Sequence, residues 1–223
     1  DPKTETFQTF MAPIQNAFTH LGMVSPTPQG WVWFTVNTDA EHKTFNLLET
    51  KTGRIDAYDP WKDLPDGRAG RSTYGVTSDS KGNGYFLEMG TGGVGKADAV
   101  TRKITVYPTP TRGSGARRGD MDSQDRLWFG EYHAGKIGMF DTETEEMREW
   151  TLPGPYAKPY DVAADINGDV WAGGMHTDFL YRLNPRTGQM TQYLLPAIQG
   201  NIRKMSSGVD HSAHSVVLYI GMN

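Results

Sequence analysis

Two stretches decide the fold: DTETEEMREW, from Asp141 to Trp150, and NPRTGQMTQY, from Asn184 to Tyr193. Both have Thr at the fourth position and an aromatic residue at the tenth, and they start 43 residues apart. Three further segments show the same pattern. They begin at Asp1, Glu49 and Asp98, with start-to-start spacings of 48, 49 and 43 residues. A pattern that returns at a nearly constant interval indicates an internal repeat.

A second motif lies between these segments and also recurs five times. It reads GWVWFTVN, GNGYFLEM, DRLWFGEY, GDVWAGGM and SVVLYIGM, and its shared aromatic positions are Trp33, Tyr85, Trp128, Trp171 and Tyr219. Short apolar runs alternate with turns rich in Asp, Asn and Gly, as expected of β-strands joined by hairpins. No 3.6-residue periodicity persists over a dozen residues, so we expect no long helix. Each unit therefore reads as four short strands.

Four-stranded units of about 40–45 residues are typical of β-propeller blades. A single blade cannot bury both of its faces, whereas blades arranged around an axis bury them against each other. A sandwich of unrelated hairpins would not explain the 43-residue spacing. We predict an all-β propeller with about five visible repeats, in which the five shared aromatics lie between neighbouring blades.

The two ends of the sequence indicate an incomplete propeller. With the strands of a unit named a to d in chain order, FQTF (Phe7–Phe10) would be a strand d, and VVLYIG (Val216–Gly221) a strand b. Joining the two ends would leave the closing blade without a strand c, and an open edge is unfavourable. The first residue is Asp, and no signal peptide is visible. We predict one propeller domain over residues 1–223, incomplete at both ends, processed or cut from a longer chain.

Composition excludes several classes of function. The formal net charge of −4 gives no basic excess for a nucleic-acid backbone. The apolar runs are far shorter than the roughly 20 residues that a membrane-spanning helix needs. The absence of cysteine excludes disulfides, thiolate metal sites and a cysteine nucleophile. We therefore expect no nucleic-acid partner and no membrane span.

The repeats resemble a known family. DRLWFGEYHAGKIGMFDTETEEMREWTLP (125–153) and GDVWAGGMHTDFLYRLNPRTGQMTQYLLP (168–196) are similar to the repeats of the streptogramin B (virginiamycin B) lyase-like propellers. This resemblance implies a seven-bladed propeller. The chain is more similar to secreted, uncharacterised bacterial members than to the resistance lyase, which implies a secreted or periplasmic protein and possible further domains.

The resemblance also implies a chemistry to look for. The resistance lyase opens a cyclic ester by elimination with a divalent metal, usually Mg²⁺, and uses histidines at the start of strand a and a glutamate at the end of strand b. Here the strand a positions are Gly22, Tyr74, Arg117, Tyr160 and Arg203, none of them histidine. Glu88 and Glu131 match the glutamate position, so they are the candidate catalytic residues.

The start of strand a is also a candidate ligand-binding site. Strand a is innermost in a propeller, so residues at its start should surround one mouth of the central channel. Guanidinium groups and tyrosine hydroxyls suit a carboxylate, a phosphate or a sugar-like ligand. The candidates are Tyr74, Arg117, Arg118, Tyr160 and Arg203. We expect an anion between the arginines, with Glu131 as the best internal candidate. Alternatively, these residues cap strand ends and stack between blades.

His133 and His176 occupy equivalent positions in neighbouring units, two residues after Glu131 and Gly174. Two imidazoles on adjacent blades could share a metal ion, with Glu131 adding an oxygen ligand. The alternative is an ordinary hairpin turn. His211 and His214 resemble a metal pair only loosely, and a solvated loop is the better interpretation.

Two functional hypotheses follow. The first is a propeller that binds a small anionic ligand or a protein partner at its channel mouth, without catalysis. The second is a metal-dependent lyase acting on a cyclic or polymeric ester, with Glu131, Glu88 and a nearby metal. The missing strand a histidines favour the first hypothesis.

Overall fold

The computed structural model describes residues 3–12, 14, 17–21, 27–38, 43–65, 67, 69–196, 198–210 and 215–222. Strands and turns account for the regular structure of this part of the chain, and it contains no helix. Accordingly, none of the described segments forms a helix that could span a bilayer.

The strands form four four-stranded antiparallel sheets and one hairpin. Blade 1 contains β1 (Thr19–Leu21), β2 (Trp31–Asn37), β3 (Lys43–Glu49) and β4 (Ile55–Tyr58). Blade 2 contains β5 (Thr73–Ser78), β6 (Gly84–Glu88), β7 (Gly93–Ala97) and β8 (Ile104–Pro108). Blade 3 contains β9 (Ala116–Met121), β10 (Arg126–Glu131), β11 (Lys136–Asp141) and β12 (Met147–Thr151).

Blade 4 contains β13 (Pro159–Ala164), β14 (Val170–Gly174), β15 (Phe179–Leu183) and β16 (Met190–Leu194). Blade 5 is the hairpin of β17 (Ile202–Asp210) and β18 (Ser215–Met222). In every four-stranded blade the strands are paired in chain order, a to d. The first strand of each blade contacts the first strand of the next, from β1 through β5, β9 and β13 to β17. The predicted all-β propeller with about five visible repeats is confirmed.

The repeated aromatic side chains fill the layers between blades. Trp33, Tyr85 and Trp128 are buried. The Trp33 ring stacks on Phe45 at a centroid distance of 4.8 Å and covers Gly84 of the next blade, whose missing side chain makes room for it. Tightly packed layers of this kind stabilise a protein mainly by removing apolar surface from water.

Contrary to the prediction from the sequence, the fifth shared aromatic residue does not lie between two blades. Tyr219 is 66% exposed, because the described residues place no further strand or blade against β18. Trp171, in blade 4, is half-buried and contacts the Tyr193 ring at 5.7 Å. The inter-blade position is therefore occupied fully in blades 1–3 and partly in blade 4.

The same aromatics also fix the a–b turns. In three blades the aromatic side chain donates a hydrogen bond to an Asp six residues earlier: Tyr85 to Asp79 at 2.9 Å, Trp128 to Asp122 at 2.8 Å, and Trp171 to Asp165 at 2.8 Å. Each of these carboxylates also accepts backbone N–H groups of its own turn. They are turn-forming residues, because hydrogen bonds from the turn itself occupy their oxygens.

The predicted strand d at Phe7–Phe10 is wrong. These residues form no strand, since no described strand lies beside them to supply hydrogen-bond partners, and Phe7 is 99% exposed. Phe10 instead lies near Gly53, in the c–d turn of blade 1. Gly22 lies outside the described residues, and so do His211 and His214.

Replacing Gly84 by Ala tests the contact between blades 1 and 2. A methyl group there would lie 2.3 Å from the Trp33 ring, so we expect a loss of about 1–3 kcal/mol in the free energy of unfolding. Denaturant unfolding measures it. The control is Gly208→Ala, whose added carbon would come no closer than 3.3 Å to the exposed Tyr219 ring. Equal stabilities of the two variants would contradict this packing.

Candidate functional site

A β-bulge begins the first strand of blades 2 to 5. At each bulge strand a has one residue more than the facing part of strand b. Bulges redirect side chains and are frequent beside functional sites. The side chains at these bulges are those of Tyr74, Arg117, Arg118, Tyr160 and Arg203, the predicted ligand-binding residues. We call this group the axial mouth.

The axial mouth brings together blades that are not adjacent in the chain. The hydroxyl of Tyr74, in blade 2, hydrogen-bonds the hydroxyl of Tyr160, in blade 4. Their rings meet edge to face, with centroids 6.3 Å apart and an interplanar angle of 82°. The first strands thus converge, as expected of the innermost strands of a propeller.

The arginines lie over tyrosine rings. The Arg117 guanidinium is 3.8 Å from the Tyr132 ring centroid, and the Arg203 guanidinium is 5.2 Å from that of Tyr160. Arg118 lies 5.5 Å from the Tyr160 centroid and 5.6 Å from that of Tyr74. Cation–π contacts of this kind are favourable but leave the N–H donors largely unused.

No carboxylate of the described residues neutralises these arginines. Among the ion pairs between described residues, none includes Arg117, Arg118 or Arg203. The expectation that Glu131 lies between the arginines is therefore wrong. Its neighbours are Lys136 and Glu149, on the strands c and d of its own blade.

The positive groups act differently on the two central tyrosines. Burial raises the pKa of Tyr74, and its hydrogen bond to Tyr160 adds to the effect. Burial also acts to raise the pKa of Tyr160, but the hydrogen bonds with Tyr74 and Arg203 and the charges of Arg118 and Arg203 outweigh it, so this pKa is lowered. The axial mouth therefore favours negative charge at its centre.

Glu88, a predicted catalytic residue, is saturated with hydrogen bonds. Its side chain is fully buried and accepts the backbone N–H groups of Ser72 at 3.0 Å and of Gly90 and Thr91 at 2.7 Å each. The Thr91 hydroxyl donates a fourth hydrogen bond, at 2.5 Å. This carboxylate holds the b–c turn of blade 2, and its oxygens are already occupied.

Glu131, the equivalent residue of blade 3, has a different environment. It is fully buried, and neither carboxyl oxygen has a hydrogen-bond partner among the described residues. Glu149 lies nearby and is paired with Lys136 at 2.7 Å. Burial, together with the negative charge of Glu149, raises the pKa of Glu131 to about 8, against the opposing charge of Lys136. This shift favours the protonated form of the Glu131 carboxyl group over the carboxylate.

The two histidines of the predicted metal site are separated by a tyrosine. The Tyr132 hydroxyl is 2.7 Å from Nε2 of His176, and its ring meets that of His133 at 5.3 Å. Burial and the charges of Arg117 and Lys158 lower the pKa of His133. No three His, Asp or Glu side chains within the described ranges are grouped to hold a metal ion. The metal site remains a prediction without a ligand set.

Two residues of this site were not predicted from the sequence. Tyr132 contacts Arg117, His133 and His176, and the Lys158 amino group lies 5.4 Å from its ring centroid. Tyr132 stands between Glu131 and His133, both of which were singled out, so its position in the b–c turn was the available signal. Nothing in the local sequence marks Lys158.

Three clefts lie away from the axial mouth. One, of about 470 Å³, separates the a–b turns of blades 3 and 4 at the opposite end of the blades, and includes Asp122, Asp165 and Arg186. The other two, of about 350 and 450 Å³, flank the chain segment between blades 1 and 2, near Leu64 and Val106. None of them contains an arginine or tyrosine of the axial mouth.

Glu131 predicts a specific dependence of stability on pH. Because its pKa is about 8 in the folded protein and near 4.5 ordinarily, the folded state binds the proton more tightly. The stabilisation that the folded state gains from this tighter proton binding is fully present below about pH 4.5, and it is lost as the pH rises towards 8. Glu131→Gln should therefore flatten the decline in unfolding free energy between about pH 5 and pH 8, measured by denaturant titration at several pH values.

The matched control is Glu143→Gln, which removes an exposed carboxylate from a c–d turn of the same blade. This variant should keep the pH dependence of the unsubstituted protein. If Glu131→Gln also kept it, the buried, protonated state of Glu131 would be disproved.

Comparison with solved structures shows the same fold. Two crystal structures of virginiamycin B lyase from Staphylococcus aureus superpose with TM-scores of 0.71 and 0.73, at 17% and 18% identity. The first comparison covers 89% of this chain and 69% of the lyase, and the second 92% and 71%. The second structure is a catalytically inactive variant with quinupristin.

Another similar structure is an extracellular domain of a one-component system from B. thetaiotaomicron. It has a TM-score of 0.62 and 16% identity, and the comparison covers 87% of this chain and 25% of that protein. At such identities the comparisons show the fold alone. No curated protein sequence matches the chain. The profile described as "Virginiamycin B lyase family" matches residues 62–217, and the chain therefore belongs to the virginiamycin B lyase family.

Proposed function

We propose that the axial mouth binds a small anionic ligand, with a carboxylate as the preferred group. The observation that carries this proposal is the excess of hydrogen-bond donors at the converging first strands. Three guanidinium groups lie there, and none of them forms an ion pair with a carboxylate of the described chain. Arginine donates from five N–H groups and accepts none, so a bound acceptor would satisfy them.

Two further details support an anion. Nε of Arg117 is buried and has no hydrogen-bond partner among the described residues, which is unfavourable for a charged donor. Arg118 and Arg203 also lower the pKa of Tyr160, so a negative charge is favoured where the three meet. A ligand carboxylate would experience the same stabilisation and could pair with a guanidinium through two parallel hydrogen bonds.

The tyrosines favour a ligand in which the carboxylate is attached to a ring. Tyr74 and Tyr132 contribute partly exposed aromatic surface beside the arginines, whereas the Tyr160 ring is buried and contacts both of them. Aromatic side chains supply large contact area at low conformational cost, and their hydroxyl groups add polar contacts. A sugar acid has both features, so we take a hexuronate as the model ligand.

The alternative function is a metal-dependent lyase, as family membership suggests. The residues present do not fit a magnesium ion. Glu88 already accepts four hydrogen bonds, and Glu131 is fully buried with a raised pKa, which disfavours the carboxylate form that would bind a metal ion. The arginines of the axial mouth would repel a cation placed there. Anion binding is therefore the better supported function, and we derive no step through a metal.

We propose that the protein acts outside the cytoplasm, either in the periplasm or after secretion. The support is the similarity to an extracellular bacterial domain, described above. A protein partner with an exposed acidic group would use the same arginines, and the following experiment includes that possibility.

Replacing Arg117 by Ala should weaken the binding of D-galacturonate by about 1–3 kcal/mol, because a charged hydrogen bond is lost. Arg203→Ala should act in the same direction. Binding is measured by NMR titration of the isotopically labelled protein, which detects weak ligands. D-galactose, which lacks the carboxylate, should bind much more weakly than D-galacturonate.

The control is Arg186→Ala, since Arg186 is exposed at the opposite end of blade 4 and lines a different cleft. This variant should bind D-galacturonate unchanged. Equal losses in both variants, or resonance shifts confined to the opposite end, would refute the proposal. If only an acidic peptide such as hexaglutamate bound, the ligand would be a protein rather than a sugar acid.

A further inference from the structure

We propose that Tyr156 forms a second binding position beside the axial mouth, on which the next sugar ring of an acidic oligosaccharide stacks. This inference rests on the proposed function, because the first ring must be held by the arginines. It identifies the ligand as an oligomer of sugar acids rather than a single sugar acid. Tyr156 is exposed, and it lies in an anchored loop at the same end of the blades as the axial mouth.

Tyr156 is a large aromatic side chain left in solvent. It is 75% exposed, and it makes neither a ring contact nor a hydrogen bond with another described residue. It lies in the loop between β12 and β13, and therefore at the end of the blades where the first strands begin. An exposed ring beside a set of unpaired donors is available for stacking.

The backbone of the loop that carries Tyr156 is restricted. Pro153 and Pro155 precede Tyr156, and Pro159 starts the next strand, so backbone freedom is reduced. Leu152 and Ala157 are 3% and 2% exposed and anchor the loop in the core between blades 3 and 4. A loop backbone that is already anchored loses less conformational entropy when a ligand binds.

The backbone at this position is also unusual. Tyr156 has φ of 63° and Lys158 has φ of 45°, a left-handed conformation that residues other than glycine seldom adopt. Two such residues in one short loop cost free energy that the surrounding packing must supply. Strained backbone of this kind is common where a protein presents side chains to a ligand.

The position matches an extension of the ligand from the axial mouth. Lys158 is two residues away, at most about 7 Å along the chain, and its amino group lies over Tyr132. Tyr132 in turn contacts Arg117 and Tyr160 of the axial mouth. Aromatic and cationic groups therefore extend from the arginines to Lys158, two residues from Tyr156.

The distribution of charge favours a sugar over a peptide. Lys158 is the one cation within residues 152–158, whereas the arginines are concentrated at the axial mouth. An acidic peptide would need cations along its length, because its carboxylates are its main recognition groups. A second sugar ring can be held by stacking alone, with its carboxylate directed towards Lys158 or solvent.

The test compares D-galacturonate with trigalacturonate by NMR titration and calorimetry. Tyr156→Ala should weaken trigalacturonate binding by about three- to tenfold and leave D-galacturonate binding unchanged. Tyr156→Trp, which keeps an aromatic face, should retain trigalacturonate binding. The control is Ile166→Ala, which removes an equally exposed apolar side chain at the opposite end of blade 4 and should change neither affinity.

The possible results separate the two proposals. The inference would be overturned if Tyr156→Ala bound trigalacturonate unchanged, or if it lost the same factor in affinity for trigalacturonate and for D-galacturonate. Neither result would contradict the anion site itself. Hexaglutamate binding that depended on Tyr156 would also overturn it, in favour of an acidic peptide. If D-galacturonate failed to bind the unsubstituted protein, the proposed function itself would fail. Thermal unfolding of each variant shows that it is folded, since the Tyr156 ring is largely exposed.

Discussion

Close packing of the first strands around one axis is the constraint on which the rest of the structure depends. A side chain at Gly75 would lie 2.3 Å from the backbone oxygen of Arg117, in the first strand of the next blade. One at Gly130, in the second strand of blade 3, would lie 2.7 Å from the backbone oxygen of Pro159, at the start of blade 4. Backbones this close leave no room for side chains between them. The extra residue at each bulge lies at the same end, so that bulky groups are directed to the axial mouth and to its rim. Packing along the axis thus determines where the chemistry is displayed.

Like-charged groups gather at the axial mouth as a result. Three guanidinium groups stack on tyrosines, which partly offsets their repulsion without using most of their donors. Below them the balance is different: Asp161 is paired with Lys204 at 3.0 Å, while burial and the charge of Asp161 raise the pKa of Asp120. The positive excess is therefore local to the axial mouth, although the whole chain is formally acidic. The net charge of the chain alone does not indicate this positive region.

The repeat pattern was sufficient to predict the propeller, because strand length, turn residues and blade period are local properties of the sequence. It also identified the residues at the starts of the first strands. It could not predict the different environments of Glu88 and Glu131, which occupy equivalent positions. In blade 2 the turn N–H groups of Gly90 and Thr91 point to the carboxylate. In blade 3 those of His133 and Ala134 bond the Ser114 carbonyl group instead, so the carboxyl of Glu131 is left without them. Such differences depend on the neighbouring loop, which no spacing in the sequence encodes.

The two ends of the blades differ in how regularly their contacts repeat. At the a–b turns one hydrogen bond recurs, from the blade aromatic to the turn Asp, in blades 2, 3 and 4. A contact repeated unchanged stabilises every blade but cannot distinguish one ligand from another. At the axial mouth the equivalent position is Tyr in two blades and Arg in two others, and each side chain has different neighbours. Specificity requires such variation, because an asymmetric ligand needs a different contact on each side. The a–b turns, where one contact is repeated, therefore stabilise the fold. The axial mouth, where the side chains differ between blades, is the end that could distinguish one ligand from another.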